Sequence, residues 1–293
     1  AAVGLPEDCP EAVKTRLFYL FEKPFTKGLA NQRKYYKEAI DTVNIQLVTS
    51  LCILFQSLFN GAAVKFDAPP AELQLTVDRL FCFCYVWSVG TSLNYANWEQ
   101  FSDHTRELFE DDCPTMGVPG RGVVYDYYLD TSESPARFKE WSEIVPSFEY
   151  SDNVPYFSLV VPTVDTCRFS YVMKSLITVN KPCFITGVTG TGKTVAVQSL
   201  LNSLQPMPYD GGMGLVPLFL TFSAQTLSLV VQQSIEAKLE KKRKNLLGAP
   251  SGKKMVIFVD DVNMPTVESS SDSSWTTRGF MTETSCSSKT LWM

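Results

Sequence analysis

Apolar residues in the first hundred positions recur at helical spacing. Ala12 to Phe21 forms a short amphipathic segment, which Pro24 and Gly28 are expected to interrupt. From about Ile45 to Phe59, Leu47, Leu51, Leu54, Phe55 and Leu58 share one stripe with a 3.6-residue period. Asn60-Gly61 supplies a stop for that helix. After a break over 62–68 and Pro69-Pro70, a second helix is predicted from about Ala71 to Ser88. Leu73, Val77, Leu80, Phe81, Cys84 and Trp87 lie on its broad face, and Phe83 and Val86 widen that face until little of the surface is polar. Such a helix is expected to be buried on most sides. A third covers about Trp98 to Glu110. None of these helices carries recognisable chemistry, and together they read as a packed lid or connector.

The pattern then changes twice. Residues 113–155 hold five prolines and three glycines, with Val123–Leu129 as a short strand and Phe138, Trp141 and Phe148 as aromatic anchors. From Tyr156 strands and helices alternate. An extended segment Tyr156–Val161 leads to a helix capped by Thr163, with Asp165 in its first turn, running to about Thr178. Lys181–Thr186 reads as a strand, followed by a glycine loop and a helix to about Leu204. Val216–Thr221 is a second strand, Leu227–Lys244 a helix and Lys254–Val259 a third strand. Strands separated by crossover helices imply an α/β fold with a parallel sheet.

Composition narrows the classes. The 293 residues suggest about two domains. With 26 Lys and Arg against 31 Asp and Glu, the net charge of −5 argues against a broadly basic nucleic-acid surface. The longest apolar run, Leu80–Trp87, is far short of the roughly 20 residues that span a bilayer, and no basic start with an apolar run marks a secretory leader. The eight cysteines form no C-x-x-C pair and read as reduced thiols of a cytosolic protein. His104 stands alone, so neither a zinc cluster nor a Ser-His-Asp triad is supported. The run Lys238, Lys241, Lys242, Arg243, Lys244 reads as a solvated helix end.

The chemistry concentrates in Gly187-Val188-Thr189-Gly190-Thr191-Gly192-Lys193-Thr194, which fits G-x-x-x-x-G-K-T between a strand and a helix. Glycines let such a loop turn its N–H groups onto phosphate oxygens, and the following helix offers its positive end. Lys193 can reach the β- and γ-phosphates, and Thr194 can hold Mg²⁺ through its hydroxyl. Met255–Val259 ends in Asp260 and Asp261. Asp260 would support Mg²⁺, and Asp261 is the candidate for polarising the attacking water. Asp261 is one methylene shorter than the Glu more usual in such ATPases. A misplacement of about 1 Å costs on the order of 10²-fold in rate, so slow or regulatory hydrolysis is expected.

The stretches DTVNIQLVTSL, GRGVVYDYYLD, WSEIVPSFEY, VPTVDTCRFSYVMKSL, GVTGTGKT and KKMVIFVDDVNMP resemble dynein heavy chains of the axonemal type, over about Glu11–Pro265. The Asp-Asp-x-Asn-Met-Pro ending resembles the third AAA+ module of the motor ring. The resemblance implies a P-loop NTPase fold of the AAA+ type, with an incomplete parallel sheet preceded by an α-helical lid. It divides the chain into the lid of a preceding module (1–110), a Pro/Gly-rich connector (111–155), the first part of a nucleotide-binding domain (156–265) and a tail (266–293). It implies ATP and Mg²⁺ at Gly187–Thr194, Asp260 and Asp261. Neighbouring AAA+ modules would be direct partners, and microtubules and other dynein chains would be reached through other regions, without nucleic acid or membrane. It implies a place in cytoplasm, cytoskeleton and ciliary axoneme, and a contribution to minus-end-directed movement. A module that binds nucleotide but barely hydrolyses it, and an unrelated P-loop ATPase, stay open as alternatives.

After Pro265 the resemblance stops. Ser and Thr make up half of residues 266–293, which reads as a disordered tail of a truncated or alternatively read product. In the AAA+ strand order 5-1-4-3-2, strand 4 would lie between strands 1 and 3, and it is not found here. The isolated chain is therefore expected to be marginally folded and a poor ATPase. Melting followed by circular dichroism, with a nucleotide titration, checks this: a cooperative melt, micromolar ATP affinity and steady turnover together would refute it.

Overall fold

A computed structural model describes residues 4–6, 8–61, 66, 68–148, 160–205, 214–244 and 246–265. The expected extended segment at 156–159 and the tail at 266–293 lie outside the described residues. By compactness the chain divides into one unit of Ala1–Tyr150 with Val161–Ser175, and another of Ser151–Val160 with Leu176–Met293.

The first unit is helical. Helix α1 (Glu11–Leu20) runs through a wide π-helical turn at Phe21–Phe25 into α2 (Thr26–Tyr35). Here the expected interruption at Pro24 and Gly28 is corrected: both residues lie inside continuous helical structure. Proline lacks an N–H, and its ring crowds the carbonyl one turn back. The wider turn absorbs an extra residue and leaves Pro24 and Phe25 buried. Gly28 is required by packing, since a Cβ there would stand 2.4 Å from the Tyr85 hydroxyl and 2.8 Å from Leu108 Cδ2.

Helices α3 (Asn44–Gly61), α4 (Pro70–Val89) and α5 (Trp98–Asp112) match the expected periods within a residue or two. The stripe Leu47, Leu51, Leu54, Phe55 and Leu58 is buried. Along α4 nearly every residue from Thr76 to Val89 is buried, so the helix forms the axis of the unit. Its rings interlock with neighbours on all sides. Phe81 meets Phe21, Phe55 and Phe109, Tyr85 stacks on Phe101, and Trp87 meets Tyr125 and Trp141. A buried carboxylate enters this core from α4. The Asp78 carboxylate is 1% exposed and accepts Nε and Nη2 of Arg16 at 2.7 and 2.8 Å. Burial raises its affinity for a proton, and the Arg16 guanidinium opposes that.

The Pro/Gly-rich stretch packs into the same unit. Val124–Asp126 is a 3₁₀ turn, and the strand expected from Val123 begins only at Tyr127. The reason lies at Tyr125, whose ring and hydroxyl are drawn into the core, the hydroxyl donating to Gly90 O at 2.8 Å. Strand β1 (Tyr127–Asp130) pairs antiparallel with β2 (Arg137–Glu140). Of the expected anchors, Trp141 is fully buried and donates to Tyr125 O, Phe138 packs partly against the core, and Phe148 is 43% exposed. Burial pushes the Cys113 thiol up to about 12 and those of Cys82 and Cys84 further up, which suits inert, reduced cysteines.

Helix α6 (Val164–Thr178) starts as expected, with Thr163 Oγ1 accepting the Thr166 N–H at 3.2 Å. In the second unit come α7 (Lys193–Leu204), β3 (Gly214–Thr221), α8 (Ser228–Glu236), β4 (Glu240–Arg243), β5 (Leu246–Gly248) and β6 (Lys253–Asp260). Strands β3 and β6 pair in parallel from Gly214↔Lys253 to Thr221↔Asp260. Residues Met255–Val259 of β6 are all buried, the pattern of a strand covered on both faces.

Two expectations are corrected here. Lys181–Thr186 forms no ladder with any described strand. A strand exists through its neighbours' hydrogen bonds, and the flanking strands that the AAA+ order assigns to it are not among the described residues. The helix expected to reach Lys244 ends at Glu236, and the basic run forms one arm of an antiparallel hairpin, β4 with β5. Five cations within seven residues repel one another at helical spacing, whereas a strand turns successive side chains to opposite faces. Lys242 there reaches Glu240 and Ser251, each at 3.0 Å.

Replacing Gly28 by Ala tests the packing at α2. Helix propensity alone favours Ala by about 1 kcal/mol. The expected result is the reverse, a loss of about 1–3 kcal/mol from overpacking against Tyr85 and Leu108, read from denaturant melts of the near-ultraviolet signal of Trp87, Trp98 and Trp141.

Candidate functional site

The glycine loop stands between Thr186 and the first turn of α7, where a strand-to-helix reversal leaves backbone donors at a helix start. Gly192 caps α7 with φ +79°, and Gly190 has φ +84°. These left-handed conformations are the ones that side-chain-bearing residues resist, and they bend the loop into the form of an anion-binding nest. Val188 at the loop crest is 78% exposed.

Lys193 is the first residue of α7, and its side chain folds back over the loop. Its Nζ donates to Val188 O at 2.7 Å, Gly187 O at 3.0 Å and Thr191 Oγ1 at 3.4 Å. The ammonium thus sits on the loop's own carbonyls. Thr191 Oγ1 also donates to Val188 O at 2.9 Å, closing the loop on itself.

Strand β6 brings the acids to the same place. Thr194 Oγ1 donates to Asp260 Oδ2 at 2.7 Å, joining residues 66 positions apart. Asp260 is the last residue of β6, opposite Thr221 of β3, so its carboxylate emerges at the C-terminal edge of the parallel pair. Ligands of open α/β sheets gather at that edge. Asp261 follows with φ +54°, and its N–H donates to Asp260 Oδ1 at 3.1 Å. Met264 N–H donates to Asp261 O at 2.9 Å, which forms the turn through Asn263. Asp261 is exposed.

The residues singled out from sequence are therefore brought together: the loop 187–194, Asp260 and Asp261 form one cluster in the second unit. A loop bent for anions, a lysine already reaching across it and a hydroxyl–carboxylate pair suited to a hard cation fit a nucleoside triphosphate with Mg²⁺. The docking of Lys193 on loop carbonyls was not foreseen, because the motif fixes spacing and leaves the side chain's resting partner open.

Comparison with known proteins agrees with this geometry. Residues 17–143 match the model of the dynein heavy chain AAA lid domain, and residues 148–276 match that of the P-loop containing dynein motor region. The chain is 38% identical over 266 residues to dynein axonemal heavy chain 6 of Homo sapiens, covering 90% of this chain and 6% of that protein. It is 32% identical over 272 residues to dynein axonemal heavy chain 1 of Mus musculus, covering 85% and 6%. It is 30% identical over 243 residues to the dynein-1-alpha heavy chain of the flagellar inner arm I1 complex of Chlamydomonas reinhardtii, covering 79% and 5%. The chain thus spans about 6% of the length of the first two of these relatives. Its helical region followed by a parallel strand pair and a separate antiparallel hairpin is consistent with the AAA+ P-loop fold.

Replacing Thr194 by Val removes the only described side-chain donor to Asp260 Oδ2. A hydrogen bond to a charged group contributes about 1.5–3 kcal/mol. The expected outcome is a loss in that range for the second unit, read from amide hydrogen exchange along β6 and α7.

Proposed function

With a AAA+ ATP-binding module of the dynein motor family as the premise, we propose that this chain is the part of an axonemal dynein heavy chain running from the lid of the second AAA+ module into the third. Its role there is to bind ATP with Mg²⁺ and relay the state of that site to the motor ring. Homology to axonemal heavy chains supports a ciliary, cytoskeletal setting. Minus-end-directed movement along microtubules belongs to the whole heavy chain in this reading, through regions outside these residues.

The observation that carries the proposal is the contact of Thr194 with Asp260 beside a lysine folded over the loop. Mg²⁺–ATP supplies a polarised γ-phosphoryl group when bound. On binding, the Lys193 ammonium exchanges the carbonyls of Gly187 and Val188 for phosphate oxygens. The loop N–H groups from Gly187 to Thr194 then orient the phosphates, with Val188, Thr189, Gly190, Thr191 and Gly192 between them forming the cradle. Thr194 and Asp260, which hydrogen-bond each other, would hold the cation. Asp261 orients a water. Its short side chain, on a backbone held in the left-handed region by the turn to Met264, has little reach toward the γ-phosphate. Slow, regulatory hydrolysis follows from that reach.

Lys193→Ala is expected to weaken ATP binding about 10- to 100-fold, whereas Asp261→Asn leaves affinity within about threefold and abolishes what turnover there is. Calorimetric titration with Mg²⁺–ATP and a phosphate-release assay measure both. Equal ATP affinity of the Lys193→Ala and unaltered proteins would sink the nucleotide reading, and rapid turnover by the unaltered protein would sink the regulatory one.

A further inference from the structure

A second cationic feature lies in the first unit, built from residues that the nucleotide site does not use. Arg79 of α4 is half-buried, and its guanidinium is pinned by two backbone carbonyls: Nε donates to Met116 O at 2.8 Å and Nη1 to Ala136 O at 2.7 Å. The Ala136 N–H is held in turn by Thr76 Oγ1, one turn back on the same helix, at 3.3 Å. The loop before β2 is therefore clamped to α4, and the remaining edge of the guanidinium, Nη2, is left for another acceptor. Nη2 lies within 3.9 Å of a Cβ built on Gly117, at the rim of an open cavity of about 350 Å³. Arg79, Arg137, Gly117, Pro119, Pro135 and Phe138 line that cavity.

The electrostatics are lopsided. No carboxylate among the described residues pairs with Arg79, whose hydrogen bonds go to neutral carbonyls. Burial and the neighbouring Arg137 both work against its charge. Arg137 reaches Glu133 at 3.4 Å, in a pair that is mostly exposed and therefore weak, and Glu133 is shared with Lys139 at 3.2 Å. Glu72, on α4, is engaged with Ser134 at 3.2 Å. Two guanidiniums thus face one cavity with less than one carboxylate to balance them. Arginine forks match phosphate oxygens bidentately, while Phe138 and the two prolines supply apolar walls.

We propose that the Arg79–Arg137 cavity is a binding site for a phosphoryl group, separate from the nucleotide loop. A dianion balances both guanidiniums, whereas a single carboxylate leaves one uncompensated. The cavity is larger than a phosphate ion, so the group it takes is carried on a larger molecule, either a free polyphosphate or a phosphorylated side chain. Arg79, prepositioned by Met116 O and Ala136 O, supplies its remaining Nη2 from a fixed position, and exposed Arg137 brings its fork over the anion.

The test uses the full chain carrying Lys193→Ala, which disables the phosphate-binding loop without touching this cavity. Inorganic pyrophosphate and, separately, phosphoserine are titrated by calorimetry at constant ionic strength. Binding of either that falls about tenfold or more in Arg137→Glu, with an unchanged melting temperature, supports the site and identifies its source. Arg79→Lys, which keeps the charge but loses the two-carbonyl pinning that aims Nη2, is expected to weaken the same binding, and undiminished binding there would count against the site. If neither probe binds, or if binding persists undiminished in Arg137→Glu, the proposal is overturned. Because Lys193 is already absent, that outcome leaves the nucleotide reading untouched.

Discussion

The first unit depends on one constraint: from Thr76 to Val89, α4 is buried on nearly every side and has to be covered there. That requirement recruits α1, α3 and α5, and it pulls the Pro/Gly-rich stretch inward through Tyr125 and Trp141. It also sets the terms for the buried acid on the helix. Asp78 is tolerated because Arg16 meets it with both prongs of its guanidinium, where an unpaired buried carboxylate would cost several kcal/mol. The aromatic network is a consequence of the same demand, since large rings fill the space around a crowded helix with edge-to-face contacts that smaller side chains would leave open.

The nucleotide cluster follows a different logic. Its loop is exposed, with Lys193, Thr194 and Asp260 half-buried beneath it, and what places them is backbone geometry: two left-handed glycines, a helix start and the carboxyl end of a parallel strand pair. The internal bonds of the cluster are of the same kinds a ligand would make. Lys193 rests on oxygens, and Thr194 rests on the carboxylate it would share with a cation. In the proposed reading, a nucleotide would exchange these contacts for equivalent ones, and affinity would rest on the surplus of charge that it brings.

Legibility from sequence tracked the range of the interactions involved. The stripes of α3 and α4, the Thr163 cap and the glycine loop are written within a few residues, and all were readable. The passage of α1 into α2 through Pro24 was not, because it depends on Tyr85 and Leu108 pressing against Gly28 from distant helices. The Arg16–Asp78 pair joins residues 62 positions apart and has no local signature. The hairpin of β4 and β5 was hidden by a basic run that suits a helix end as well as it suits an exposed strand. Lys181–Thr186 has the composition of a strand, but strand character is conferred by neighbours. In the candidate site, the identity of the residues was legible, whereas the resting partners of Lys193 and the strained backbone of Asp261 were not.

The wide turn at Phe21–Phe25 also acts as a phase adjustment. Val13, Leu17 and Leu20 before it and Gly28 and Gln32 after it are all buried. An uninterrupted α-helix through the same residues would rotate the second half by about 100°, one residue's share of a 3.6-residue turn. Gln32 would then leave the partner it finds in Glu38 at 2.8 Å, and Gly28 would leave its slot under Tyr85. The length of this stretch is therefore as constrained as its composition. A lid helix of this kind can accept many substitutions on its outer face, but the loss or gain of a single residue between Leu20 and Thr26 would swing one half of it about 100° off its packing face.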